Sequence, residues 1–109
     1  MAIKGLPAEV QKAMEGQRIF SLATSSADGI PNVVPVGFLF EGRDGSIWVI
    51  DNYMKKTLAN VKENPRASFY IWQQGAKESY QVKCSVKVES SGDDYDLAVK
   101  IAHERRRSE

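Results

Sequence analysis

The sequence predicts a mainly β protein, an antiparallel barrel with short covering helices. Strand-like runs follow one another through the first half with no helix between them, and a helical pattern first interrupts them near Asn52. Residues 80–89 then alternate apolar and polar side chains at the two-residue period of a half-buried strand. A doubly wound parallel sheet would need regular strand–helix alternation, which this order lacks.

Each element follows from local chemistry. Leu6 to Glu15 carries good helix formers, with Pro7 where a first-turn proline is tolerated and Gly16 as a stop, so a short helix should cover one barrel end. Arg18 to Thr24 is apolar and partly β-branched, a first strand. In Ser25 to Asn32 the pair Asp28-Gly29 signals a turn, and Val33 to Glu41 is the return strand of that hairpin. Gly42 to Ser46 makes a second turn and Ile47 to Asp51 a third strand, which gives three antiparallel strands in a row. Beyond Asn52, Met54, Leu58 and Val61 recur at i, i+4 and i+7, the spacing of a helix with one buried face, and Asn64-Pro65 ends it. Arg66 to Trp72 has the aromatic and β-branched content of a fourth strand. Tyr80, Val82, Cys84, Val86 and Val88 then form the dry face of a strand whose other face, Gln81 to Glu89, is largely wet. The run Ser91 to Asp94 opens a last helix with Leu97, Ala98, Ile101 and Ala102 as its apolar stripe.

Composition sets the class. The 109 residues fit a single domain, and 42% hydrophobic with 27% charged residues is ordinary for a globular chain. No apolar run approaches the roughly 20 residues that span a bilayer, and MAIKGLPAEV lacks the features of a secretory signal, so a cytoplasmic location is expected. One cysteine, Cys84, and one histidine, His103, exclude an intramolecular disulfide and a zinc cluster. A net charge of +1 argues against a nucleic-acid partner, and Arg105, Arg106 and Arg107 read as complements to the negative end of the last helix.

Conventional catalytic groupings are absent. His103 falls on the polar side of a charged helix, and Cys84 on an apolar strand face, where a thiol behaves as a small hydrophobe. Neither a GxxxxGK[ST] loop nor a GxGxxG turn is present. Redox or group-transfer chemistry would therefore need a bound cofactor. The informative segment is Ile50 to Asn60, where Asp51 or Asn52 can cap the helix and put Lys55, Lys56 and Thr57 in its first turn. Cations there cost about 0.3–1 kcal/mol each, and a bound phosphate would reverse that penalty while accepting first-turn N–H bonds. A solvated surface pair is the other reading of these lysines. A second feature is VVPVGF, where Pro35 lacks an N–H and Gly37 a side chain. That leaves edge-like backbone on which a flat ring could settle, or else an ordinary bulged edge strand.

Together these segments resemble the FMN-binding split-barrel family that includes pyridoxamine-phosphate oxidases and small flavoproteins. DGIPNVVPVGF (Asp28 to Phe38) is similar to the family's first hairpin and the strand beneath the flavin ring. NYMKKTLANVKENPRASFYIW (Asn52 to Trp72) is similar to its paired basic residues, helix Asn, Asn-Pro and apolar strand ending in Trp. The resemblance implies an antiparallel split β-barrel with FMN as cofactor. By it Lys55 and Lys56 would hold the phosphate with Thr57 beside it, Ile50, Asp51 and Asn52 would pass along the ribityl chain or ring, and Val34, Pro35 and Val36 would offer main-chain contacts to the isoalloxazine. Gln81 would reach the flavin from the neighbouring subunit of a homodimer with the cofactor at the interface. The substrate-gripping arginines and histidine of a true pyridoxamine-phosphate oxidase have no counterparts in AHERRRSE. The expected function is thus electron or hydride transfer by an FMN protein, an FMN-dependent oxidoreductase using NAD(P)H or a protein electron donor, with no nucleic-acid or membrane partner and no metal. The alternatives are the same barrel holding a deazaflavin or haem, and a non-enzymatic barrel that binds RNA or protein through Tyr70 and Trp72.

Overall fold

The computed structural model describes residues 7–37, 39–41, 47–49 and 55–108. Its elements in chain order are α1 (Ala8–Glu15), β1 (Phe20–Ser25), β2 (Pro31–Val36), β3 (Leu39–Glu41), β4 (Ile47–Val49), α2 (Lys55–Glu63), β5 (Arg66–Ile71), β6 (Tyr80–Ser85) and α3 (Asp93–Ser108). All strand pairs are antiparallel: a four-stranded sheet in the order β2-β1-β5-β6, and a two-stranded sheet of β3 and β4. This is the split-barrel arrangement expected, with α1 and α2 at its ends.

Alternation along β1 and β5 builds the core. Phe20 and Leu22 of β1, Val36 of β2, Ala67, Phe69 and Ile71 of β5, and Val82 of β6 point to one side and are buried. Ile47 of β4 joins the same cluster, so the two-stranded sheet closes over the inner face of the larger one. The ring of Phe69 meets that of Phe20 edge to face, 5.9 Å between centroids and 88° between planes, a favoured aromatic geometry. Val10 of α1 is buried with them, so α1 stops the barrel end formed by Phe20, Val36 and Ile71. Pro7 is the N-cap of α1 rather than part of its first turn, and its carbonyl accepts the N–H groups of Val10 and Gln11.

Several expectations change in detail, each for a physical reason. Val33 to Glu41 is not one strand. The last rung of the β1–β2 ladder is Phe20↔Val36, so the returning chain outruns its partner and changes sheets to pair as β3 with β4. The meander is likewise broken, because the second neighbour of β1 is β5. The Asp28-Gly29 turn is a three-residue loop, with Ser26 N–H bonded to Ile30 O, Gly29 N–H bonded to Ser26 O, and Gly29 at φ 87°. That is a type I turn followed by a left-handed glycine, a conformation other residues adopt at a cost. Strand β6 stops at Ser85 instead of running to Glu89, and Val88 is exposed. The opposing chain there is Pro65, whose carbonyl still accepts Val86 N–H but which has no N–H to return. Trp72 lies past the end of β5, its N–H taken by the Gln17 side chain.

Candidate functional site

Helix α2 closes the other barrel end, beside Thr24 and the β1–β2 hairpin. Lys55, Lys56 and Thr57 are its first three described residues; both lysines are exposed, Thr57 is buried, and among the described residues no acidic side chain lies in the first turn. Two cations thus stand at the positive end of a helix whose leading N–H groups have no partner within it. Ile50, Asp51 and Asn52, and with them the expected cap, lie outside the described residues.

The buried stripe of α2 differs from the expected Met54, Leu58 and Val61. It is Thr57, Asn60 and Val61, with Leu58 half-buried and Met54 outside the described residues. Two of the three are polar because they meet polar groups of the hairpin. Asn60 Nδ2 donates to Thr24 Oγ1 at 3.1 Å, and Asn32 Nδ2 donates both to Thr24 Oγ1 at 3.3 Å and to Thr57 Oγ1 at 3.1 Å. Among the described residues no buried side-chain nitrogen or oxygen lacks a partner. Sequence reasoning missed Thr24, Asn32 and Asn60 because a search for apolar periodicity ignores polar residues at 57 and 60, although with Val61 they share the same i, i+3, i+4 face.

Among the described strands β2 is at the sheet edge, and its prolines fix what that edge offers. Counting in twos from the Ser26–Ile30 bond, the bonded rungs are Thr24↔Asn32, Leu22↔Val34 and Phe20↔Val36. Pro31, Val33 and Pro35 occupy the other rungs, turned away from β1, where a missing N–H costs no ladder bond. The outer edge therefore presents the N–H and C=O of Val33 and the carbonyls of Pro31 and Pro35. Val34 and Val36 direct their backbone groups to β1. Val33 is also 65% exposed, an apolar side chain beside a hydrogen-bonding edge.

Lysines, Thr57 and the β2 edge are thus brought together at one end of the molecule, and Gln81 is not. It lies on β6, paired with Tyr70, three strand spacings of about 4.8 Å from β2 in the same sheet. There Tyr70, Trp72, Ser79, Tyr80 and Gln81 line a shallow open depression of about 440 Å³. Tyr80 donates to Glu78 Oε2 at 2.6 Å, a bond that raises its phenol above the ordinary range.

Two other titratable groups bear on the chemistry. In the hairpin turn, the Ser26 hydroxyl donates to Asp28 Oδ1, and this bond, a backbone N–H and the nearby charge of Lys56 hold the carboxyl below its usual range. An ionised carboxylate therefore stands beside the start of α2. Cys84 donates to Ala67 O at 3.3 Å, and burial pushes its thiol up to about 11. The thiolate is the reactive form, so labelling by a disulfide reagent at pH 8 should be much slower than in urea-unfolded protein, and equal rates would refute the assignment. Because the folded value lies above the unfolded one, near 8.5, the stabilising share of this group is complete below that pH and is lost as pH rises toward about 11.

Comparison with known proteins agrees with the fold. The family model described as pyridoxamine 5′-phosphate oxidase matches residues 6–108. An uncharacterized protein of Methanocaldococcus jannaschii is 37% identical over 65 residues, which are 58% of this chain and 43% of that protein, so the chain matches less than half the length of this relative. Among solved structures, HupZ of Group A Streptococcus superposes with a TM-score of 0.81 at 21% identity, covering 93% of this chain and 80% of that one. HutZ, the heme storage protein of Vibrio cholerae, gives 0.69 at 19% identity over 96% and 76%. An FMN-binding protein of Syntrophomonas wolfei subsp. wolfei gives 0.61 at 20% identity over 81% and 63%. At these identities the structures establish the fold alone.

Proposed function

We propose that this chain, which belongs to the pyridoxamine 5′-phosphate oxidase family, binds FMN at the end of the barrel formed by α2 and β2 and mediates electron or hydride transfer. The observation that carries the proposal is the exposed pair Lys55 and Lys56 at the start of α2, next to a sheet edge with outward main-chain donors and acceptors. The residues present suit the cofactor. First-turn N–H groups and two ammonium groups match a phosphate. A flat ring with alternating N–H and carbonyl groups matches the edge at Val33 and Pro35. Bound FMN would supply the redox chemistry at its ring. The protein's own share is to hold the phosphate, align the ring edge and shield one ring face with Val33, assisted by Ile50, Asp51 and Asn52.

The same reading takes the active form to be a homodimer. Val33 and Tyr70 are large, exposed and on the outer side of the four-stranded sheet, with exposed Trp72 just past the end of β5, the kind of aromatic and apolar surface that subunit contacts cover. Gln81 on the far edge would then serve the partner's site. The electron donor is NAD(P)H or a reduced protein. A second reading, haem at the same place, is favoured by the likeness to the heme storage protein HutZ, since lysines also suit haem propionates.

Absorption spectra and thermal melts of the purified protein with FMN, riboflavin and haemin test both. Flavin bands and a melting temperature raised most by FMN are expected, because a ligand of the native state stabilises it by mass action. A Soret band with no FMN response would transfer the assignment to haem, and no response to any of the three would end both readings.

A further inference from the structure

We propose that Asn32 is a positioning residue for the anion site, the one side chain among the described residues that ties the first turn of α2 to the strand edge beside it. The inference rests on the phosphate reading above and assigns a role to a residue which that reading does not use. A primary amide has two hydrogens, and Asn32 directs both to threonine hydroxyls, one on β1 and one in the first turn of α2. Thr24 receives Asn60 as well, and Thr24, Thr57 and Asn60 are 6%, 5% and 1% exposed. The helix is thereby bonded to the hairpin at two places along its inner face, residues 57 and 60.

Position along the chain gives this patch its consequence. Thr57 directly follows Lys55 and Lys56, and a helix rises 1.5 Å per residue, so fixing the Thr57 hydroxyl fixes the origin of both lysine side chains. On the strand side Asn32 directly precedes Val33. Side chains and edge groups alternate along a strand; the inward amide of Asn32 therefore sits one residue from the outward N–H and C=O of Val33. One side chain sets the spacing between the cationic helix start and the backbone edge. Apolar contacts would hold the helix down equally well but would let it slide, since dispersion has no preferred direction and hydrogen bonds do. A site that must grip both ends of one elongated ligand needs the second property.

Asn32→Ala tests this, with two readouts on the full chain. The first is the ratio of FMN to riboflavin affinity by quenching of flavin fluorescence; the second is hydrogen exchange of residues 55–61 against residues 66–71. The variant should lose about tenfold in FMN affinity, the equivalent of one or two net hydrogen bonds, and less than about threefold for riboflavin. Exchange should speed up in 55–61 and stay unchanged in 66–71. An unchanged FMN to riboflavin ratio, in a variant of a wild type that does discriminate, would overturn the role. A wild type that does not discriminate would overturn the phosphate reading instead, and exchange would then decide whether Asn32 still anchors the helix: unchanged protection over 55–61 sinks the inference. Should Asn32→Ala fail to fold, Asn32→Ser, which keeps a polar group too short to bridge, replaces it under the same criteria.

Discussion

Replacing Lys55 and Lys56 together by alanine should weaken FMN binding about a hundredfold and leave riboflavin binding within about threefold. A hydrogen bond to a charged group contributes about 1.5–3 kcal/mol, reduced here because both side chains are solvent-exposed. Two such contacts at about 1.4 kcal/mol each amount to two factors of ten. Riboflavin has the same ring and ribityl chain but no phosphate, so the loss should not extend to it. A second sign separates this from general damage. Cations at a helix start are unfavourable by about 0.3–1 kcal/mol each, an effect Asp28 offsets in part at Lys56. The double variant without ligand should therefore melt at or slightly above the wild-type temperature. A helix made more comfortable and a ligand held less well is the signature of residues kept for binding. Fluorescence titrations with both flavins, together with melts of the apo proteins, give the result; equal loss for the two flavins would mean that these lysines do not read a phosphate.

Much of this fold was legible because period and turn chemistry are local. The alternation Tyr80, Val82, Cys84 and the apolar run Phe20 to Thr24 gave strands where strands are, and Asn64-Pro65 ended α2 within a residue or two of its last turn. What escaped depends on partners distant in sequence. Nothing in Val33 to Glu41 says that β1 begins only at Phe20 and so releases the chain after Val36. Nothing in residues 80–89 says that a proline faces Val86, just past the last rung at Ser85. The site divides in the same way. Two lysines in a first turn are visible as a local electrostatic anomaly, whereas Asn32, Thr24 and Asn60 become a unit only when α2 lies on the hairpin, 25 to 36 residues away in sequence. Polar residues that look like surface in a linear reading are the ones that join the helix to the sheet.

Phe69→Ala should cost about 3–5 kcal/mol, and the size of that loss connects the core to the proposed ligand. Phe69 is 2% exposed in the central strand β5, flanked in register by Leu22 and Val82 and touched edge-on by Phe20. The strands on both sides are held by their own ladders, so the cavity has little room to collapse. Small domains have about 5–15 kcal/mol in total; the variant should therefore begin to unfold at low urea. Val33→Ala, at a position 65% exposed, should change stability by no more than about 0.5 kcal/mol. Phe69 is two residues along β5 from Ala67 and pairs with Leu22 rather than with Thr24, so the cavity opens in the core and not among the hydrogen-bonded residues of the site. FMN at a hundred times its dissociation constant adds about 2.7 kcal/mol to any protein whose native state it binds, and it should restore most of what Phe69→Ala removes. Urea unfolding of the variant with and without FMN measures both terms at once. Failure of saturating FMN to shift the midpoint, in a variant whose far-ultraviolet spectrum is native at zero urea, would mean that the native state does not bind FMN, and the proposed flavin site would fall with it.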